Sequence, residues 1–199
     1  MPEKLFPTNR LEAFSDGVLA VIITIMVLEL KIPHADGLPG LFMIAPILFI
    51  YLLSFTFTGI YWINHHHLIS RIKRADPRVL YANLAFLFCA SLLPFFTSYV
   101  IEKKADSFSV ALYAASMILT AISFLFLRLA IGRLLNLTGE LQQEDIATER
   151  KHYASLVLYL IAIPLAHFHP WFALATITLV TVVWIVPTAR APYDNHNLP

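Results

Sequence analysis

Long apolar runs, separated by short polar segments, dominate the pattern along this chain. A helix of roughly 20 apolar residues is long enough to cross the hydrocarbon core of a bilayer. We therefore expect an all-α integral membrane protein in which residues 1–199 form a single six-helix transmembrane domain. The expected spans cover about residues 11–30, 41–68, 79–101, 107–127, 152–166 and 171–187, and the last two are the shortest.

Polar and helix-breaking residues set the expected ends of these spans. Asn9, followed three residues later by Glu12, has the spacing of a capping box at the start of span one. Residues 32–40 are rich in proline and glycine and predict the turn before span two. A longer polar stretch, residues 128–151, separates spans four and five.

Composition supports a membrane protein and argues against several other classes. The chain is 58% hydrophobic and 14% charged, with a mean hydropathy of +0.70, whereas soluble domains are about 25% charged. Its one cysteine, Cys89, excludes a disulfide framework and a thiolate zinc cluster. A net charge of +1 does not favour nucleic acid as a partner. The sequence shows no nucleophile with a matching base, no phosphate-binding loop and no HExxH pair. We therefore expect neither an enzyme nor a cofactor.

Basic residues predict the orientation. Six spans place both termini on one side, which collects eleven lysines and arginines against three on the other. The eleven are Lys4, Arg10, Arg71, Lys73, Arg74, Arg78, Arg128, Arg133, Arg150, Lys151 and Arg190; the three are Lys31, Lys103 and Lys104. The positive-inside rule then puts both termini in the cytosol. The sequon that begins at Asn136 would face the cytosol and stay unmodified.

Polar residues at the start of span one need partners that lipid does not offer. Asp16 has two readings, a residue at the helix start favoured by the helix dipole or a functional ionisable group. Arg10 and Asp16 are six residues apart and cannot pair within one helix, so we expect each to find a partner on another span. The cytosolic ends of spans two and three are at the same depth. One hydrogen-bonded layer is expected from Arg10, Ser15, Asp16, Trp62, one of His65–His67 and Asn83.

The histidines do not form a metal-binding pattern. Neighbours on a helix point about 100° apart, so His65, His66 and His67 cannot all face one ion. His167 and His169 fall on the opposite membrane face, and neither set has acidic or cysteine partners. We expect no metal site, and structural or proton-sensing histidines instead.

A second feature of span one is a stripe of four residues. Val21, Thr24, Ile25 and Leu28 follow the i, i+3, i+4, i+7 spacing of one helix face. Spacing alone is also compatible with ordinary helix packing, in which the threonine bonds back to its own helix. Leu19 and Met26 are offset from this stripe and are expected to serve packing.

Three motifs together resemble a known family. Arg10-x-x-x-Phe14-Ser15-Asp16 resembles the signature that opens the first helix of the transmembrane protein 175 family, the endolysosomal potassium channels and their shorter prokaryotic relatives. Trp62-x-x-His65 and Asn83 followed by Pro94-Phe95 resemble two further features of that family. The resemblance covers the first half of the chain, while the second half matches in hydropathy alone.

The resemblance implies a potassium-selective channel in a bacterial plasma membrane. Four copies of the chain would form a homotetramer, with the first helix of each lining a fourfold pore and monovalent cations as the permeant species. Val21, Ile25 and Leu28 would form apolar constriction rings, and Thr24 a ring of hydroxyls. Arg10, Phe14, Ser15, Asp16, Trp62, His65 and Asn83 would support the pore helix. The family lacks the TVGYG filter, and so does this sequence. It has Val21 where a bulkier isoleucine or leucine is usual.

Two other functions remain open from the residues. A proton-coupled or other secondary transporter would use Asp16 and the membrane histidines, although no inverted repeat or broken helix pair is evident. A membrane scaffold without transport is the third possibility. Unitary currents that reverse at the potassium potential distinguish a channel from both.

Overall fold

The computed structural model of the chain describes residues 5–33, 35–139 and 143–185. Eight helices and two short strands follow one another in these ranges. In chain order they are β1 (Phe6–Pro7), α1 (Asn9–Met26), α2 (Gly37–Met43), α3 (Ala45–Ile69), β2 (Arg74–Ala75), α4 (Pro77–Ser91), α5 (Leu93–Glu102), α6 (Ser107–Thr138), α7 (Gln143–Phe168) and α8 (Pro170–Ile185), and a 3-10 turn at Val27–Glu29 extends α1.

Prolines break two of the expected spans. Span two is divided at Ile44, between α2 and α3, and Pro46 stands in the first turn of α3. Span three is divided at Leu92, between α4 and α5, and Pro94 stands in the first turn of α5. A proline has no N–H to donate to the carbonyl four residues earlier, so each helix restarts rather than continues. Each of these two spans therefore consists of two consecutive helices.

The polar stretch after span four is largely helical, so the helix of span four is longer than expected. Helix α6 continues from the expected end near Leu127 to Thr138 and stops at Gly139, which has a φ of 75°. Leu127, Ile131 and Leu135 are spaced by four and are all buried, so one packing face extends through the charged segment. Helix α7 likewise begins at Gln143, before the expected start at His152.

Among the residues that the structure describes, four segments are long and apolar enough to cross a membrane. They are Asn9–Glu29, Ala45–Ile69, Pro77–Glu102 and Ser107–Leu137, and they agree with expected spans one to four. Helix α8 is apolar but shorter, at 16 residues, and α7 has a charged first half. The expected end of span six near Pro187, and the charges of Lys4 and Arg190, lie outside the described residues.

Helix α6 forms the centre of the bundle and packs against α4, α5, α7 and α8. A cluster of aromatic rings fills the space where these helices meet α3. Tyr61 lies 5.1 Å from Phe124 and 5.7 Å from Phe86, measured between ring centroids. Helix α1, in contrast, lies at the edge of the bundle against α3, α4 and α5. One side of α1 is therefore buried, and the other is exposed with respect to the described residues.

The start of α1 is joined to the loop between α3 and α4. Strand β1 pairs antiparallel with β2, with Phe6 opposite Ala75. Thr8 is the N-cap of α1, but its hydroxyl donates to the Ile72 carbonyl at 3.2 Å rather than capping the helix. The capping box expected from Asn9 and Glu12 does not form, because Asn9 is already helical and the Glu12 carboxylate contacts His66. Tertiary contacts thus fix this helix end.

Candidate functional site

A chain of buried hydrogen bonds connects α1, α3 and α4. The amide nitrogen of Asn83 donates to Ser15 Oγ at 2.9 Å, and His65 Nε2 lies 2.8 Å from Asn83 Oδ1. All three residues are fully buried. Ser15 Oγ in turn donates to the Leu11 carbonyl at 2.8 Å. Three of the residues expected in one polar layer therefore lie together.

The direction of each bond in this chain follows from the chemistry of its members. Asn83 Oδ1 can only accept, so His65 must carry its proton on Nε2. Ser15 has one hydroxyl proton, which goes to Leu11, so its oxygen accepts from Asn83. His65 Nδ1 is buried and has no hydrogen-bond partner among the described residues. Asn83 is the only side chain of the three that bonds to the other two, and the connection between the helices depends on it.

Two further contacts join the same helices nearer the surface. Trp62 Nε1 donates to Asp16 Oδ1 at 2.9 Å. One turn away, His66 Nδ1 lies 3.2 Å from Glu12 Oε1. Asp16 and Glu12 are half-buried, while Trp62 and His66 are exposed. Asp16 thus finds its expected partner on another helix, in a more exposed position than its place in the sequence predicts.

Arg10 and Phe14 are not part of this network. Both side chains are exposed, and Arg10 has no hydrogen bond or ion pair with the described part of the chain. Arg10 stands in the first turn of α1. The expectation that Arg10 pairs with another span of the same chain was therefore wrong. Phe14 lies on the outward face, seven residues before Val21.

Helix α1 has two contrasting faces. Ser15, Leu19, Ile22 and Met26 form the buried face, with at most 4% of each residue exposed. On the opposite face, 54% of Val21, 43% of Ile25 and 78% of Leu28 are exposed. The prediction that Leu19 and Met26 serve packing is confirmed by this burial. The stripe residues make few contacts within the chain, which excludes the alternative that they pack in its core.

Thr24 lies on the exposed face between the apolar stripe residues. Its hydroxyl is 3.0 Å from the carbonyl oxygens of both Ala20 and Val21, so it donates its proton to its own helix. A hydroxyl that donates in this way directs its oxygen lone pairs away from the helix. The outward surface of α1 therefore presents one level of oxygen between apolar levels.

The remaining histidines occupy separate places. His167 Nδ1 lies 3.4 Å from the Ile163 carbonyl, and His169 accepts from the Trp171 backbone N–H at 3.4 Å. Within the described ranges, no group of three or more histidine, cysteine or acidic side chains lies close enough to hold a metal ion.

Sequence reasoning missed a second group of polar contacts near the other end of α1. Ser98 of α5 donates to Glu29 Oε2 at 2.6 Å. Beside it, Thr97 donates to Ser54 of α3 at 2.8 Å, and Ser54 lies 2.6 Å from the Tyr113 hydroxyl of α6. The four hydroxyl residues are spread over three apolar runs, and their spacing gives no sign that they meet. The acidic end of an apolar run at Glu29 was the one available signal.

Comparisons with known proteins place this geometry in a family. The family model described as endosomal/lysosomal potassium channel TMEM175 matches residues 10–94, the range that contains every motif residue except Phe95. A protein from Chryseobacterium sp. (strain P1-3), named as a potassium channel, is 40% identical over 182 residues, which cover 92% of this chain and 94% of that protein. The chain belongs to the TMEM175 family.

Two more relatives agree with this membership. A protein from Streptomyces collinus, also named as a potassium channel, is 36% identical over 125 residues, covering 59% of this chain and 61% of its own length. The crystal structure of a lysosomal potassium-selective channel TMEM175 homologue from Chamaesiphon minutus superposes with a TM-score of 0.75 at 27% identity, covering 89% of this chain and 96% of that chain. With its apolar helices, this TMEM175 family member is an integral membrane protein.

Proposed function

We propose that the chain is a potassium-selective channel that works as a homotetramer, with α1 of each copy lining a fourfold pore. Val21, Ile25 and Leu28 form apolar constriction rings, and Thr24 forms a ring of hydroxyls between them. Because the chain has no TVGYG segment, selectivity depends on the pore diameter and on the oxygens at the Thr24 level.

The observation that supports this proposal best is the exposed stripe on α1. If the outward face of an edge helix only contacts lipid, apolar side chains are sufficient and no polar residue is needed at a particular level. Here the outward face combines large apolar side chains with a hydroxyl level that lipid does not require. Around a fourfold axis, the apolar side chains of this face would form rings that exclude water by dewetting. The hydroxyl oxygens at the Thr24 level would replace part of the hydration shell of an ion.

A groove whose lining includes Val21 and Ile25 of the stripe supports assembly from several copies. Ala13 and Gly17 of α1 line it on one side, and Ser91 and Pro94 line it on the other. A side chain added at Gly17 would meet nothing within 4 Å. Small residues on a membrane helix let a neighbouring helix approach closely. The symmetry-related helix of the tetramer is the occupant that this surface suits.

Potassium currents from purified protein in planar bilayers test the function. We expect unitary currents that reverse close to the potassium equilibrium potential in a potassium–sodium gradient, and a tetramer by native mass spectrometry. Coupled transport without unitary currents would indicate a secondary transporter that uses Asp16 and the histidines. The absence of any flux in protein that is assembled would indicate a scaffold.

The six-span topology with both termini in the cytosol is part of the same proposal. It predicts that a single cysteine at Ala35 reacts with an impermeant reagent added to intact cells, whereas one at Asn136 does not. Both positions are exposed, and the native Cys89 is buried and can be replaced in the background. Labelling at Asn136 without labelling at Ala35 would contradict the topology.

A further inference from the structure

The end of α1 opposite the Ser15–Asn83–His65 network is held by a contact that the conduction proposal does not use. Ser98 Oγ lies 2.6 Å from Glu29 Oε2, the short distance of a hydroxyl donating to a carboxylate. Glu29 ends the 3-10 turn that follows α1 and directly follows Leu28 in the chain. A contact at Glu29 therefore acts on the backbone that carries Leu28.

Leu28 has little else to fix its position. It is 78% exposed and lies in the 3-10 turn, after which Leu30 adopts an extended conformation. Short 3-10 turns have weaker backbone hydrogen bonds than an α-helix. The placement of the Leu28 side chain is thus set mainly by what holds the turn, rather than by packing around the side chain itself.

Helix α5 offers a rigid attachment for this turn. Thr97, next to Ser98, donates to the buried Ser54 of α3, which also contacts the Tyr113 hydroxyl of α6. A second contact near the turn, Lys31 to Glu102 at 3.4 Å, has both side chains well exposed, and exposed ion pairs contribute little. The Ser98 contact is therefore the stronger connection between this end of α1 and the core.

We propose that Glu29 is a positioning residue, held by Ser98, that fixes the level and width of the apolar ring formed by Leu28. This inference rests on the proposed function, because it requires α1 to line the pore. Loss of the contact lets the 3-10 turn move, the Leu28 ring loosens and its barrier to water and ions falls. The role belongs to the hydrogen bond and not to the negative charge of Glu29.

Four variants, with a control, separate these statements in a potassium flux assay on vesicles with equal amounts of incorporated tetramer. Ser98→Ala removes the donor, Glu29→Gln keeps an oxygen acceptor but removes the charge, and Leu28→Ala removes the ring. The double variant combines Ser98→Ala with Leu28→Ala. Thr176→Ala on α8 is the control, since that hydroxyl donates to Phe172 in its own helix.

If the contact between Glu29 and Ser98 positions the Leu28 ring, one pattern of potassium flux is expected. Ser98→Ala raises potassium flux by about fivefold, the population change that one hydrogen bond of ordinary net strength can cause. Glu29→Gln and Thr176→Ala keep the native flux. Leu28→Ala raises flux, and adding Ser98→Ala to it has no further effect, because the ring through which Ser98 acts is gone. If Ser98→Ala does not assemble, Glu29→Met breaks the same bond and gives the same rise.

Other patterns overturn the proposal in different ways. Native flux in Ser98→Ala, beside raised flux in Leu28→Ala, rejects the role of Glu29 and leaves the proposed function standing. Additive effects in the double variant place the action of Ser98 elsewhere. A change in Glu29→Gln as large as that in Ser98→Ala assigns the effect to charge. Native flux in Leu28→Ala contradicts the pore assignment itself.

Discussion

The two faces of α1 both carry large apolar side chains and have very different surroundings. Leu19 and Met26 are buried against α3, α4 and α5, whereas Val21 and Leu28, a few residues away, are more than half exposed. Hydrophobicity alone therefore does not distinguish a residue that packs within the chain from one left for another purpose. Burial in the folded chain makes this distinction, and it leaves the Val21–Leu28 face exposed, where the proposed tetramer would place the other copies.

The polar residues of α1 are divided in the same way. Ser15 belongs to the buried face and its hydroxyl is used within a network, while Thr24 belongs to the exposed face and bonds to its own helix. A hydroxyl is thus structural on one side of the helix and, in the proposed pore, available to ions on the other.

The largest expected effect on stability comes from the buried face. Leu19→Ala and Met26→Ala should each lower the free energy of unfolding by about 2–5 kcal/mol, the range for removing a large side chain from a packed site. The matched change on the other face, Leu28→Ala, should alter it by less than about 0.5 kcal/mol. Thermal unfolding of the purified variants in one detergent measures both. Equal losses of unfolding free energy for variants on the two faces would contradict the assignment of one face as buried and the other as exposed.

Breaking the buried polar network should have the next largest effect. Asn83→Ala removes the side chain that joins His65 to Ser15 and leaves both without that partner. The expected loss of unfolding free energy is about 2–3 kcal/mol, since unsatisfied buried polar groups are costly. Asn64→Ala is the control, because the Asn64 amide donates to Ile60 in its own helix. If Asn83→Ala unfolds at the same temperature as Asn64→Ala, the network contributes little to stability.

Asp16 should have a smaller effect than its position near the start of a membrane helix suggests. A fully buried carboxylate that lost its partner would cost about 3–5 kcal/mol. Asp16 is only half-buried and its partner Trp62 is exposed, so Asp16→Ala should cost about 1–2 kcal/mol. Trp62→Phe should cause a similar loss that is not additive with it. A well-assembled Asp16→Ala channel with changed ion selectivity would instead place Asp16 in the conduction path.

Much of this site could be predicted because the residue types had few alternatives. Ser15, Asp16, Trp62, His65 and Asn83 lie at one depth in apolar runs, and groups of this kind must find hydrogen-bond partners. Arg10 could not be placed in the same way, because it stands at the helix start, where water or a neighbouring copy can satisfy it. Depth from the helix end, and not charge, separates the correct predictions from the wrong one.

The fold was harder to predict where polar residues and packing gave opposite signals. Residues 128–151 were expected to separate two spans as a polar stretch, yet Leu127, Ile131 and Leu135 continue a buried helical stripe past Arg128 and Arg133. The four-residue spacing of these apolar side chains, rather than the charged residues beside them, would have identified this part of α6 as helical. The contact between Glu29 and Ser98 gave no such signal, since it depends on how two separate helices are placed side by side.

Potassium and sodium flux through variants of the two faces tests the central claim most directly. At equal incorporation of tetramer, Ile25→Ala and Leu28→Ala should raise conductance, because a wider apolar ring has a lower dewetting barrier. Thr24→Val should lower the preference for potassium over sodium, because four oxygens disappear from one level of the proposed pore. Leu19→Ala and Met26→Ala should change stability without changing selectivity. If the buried-face variants alter permeation while Thr24, Ile25 and Leu28 variants conduct as the native protein does, α1 does not line the pore.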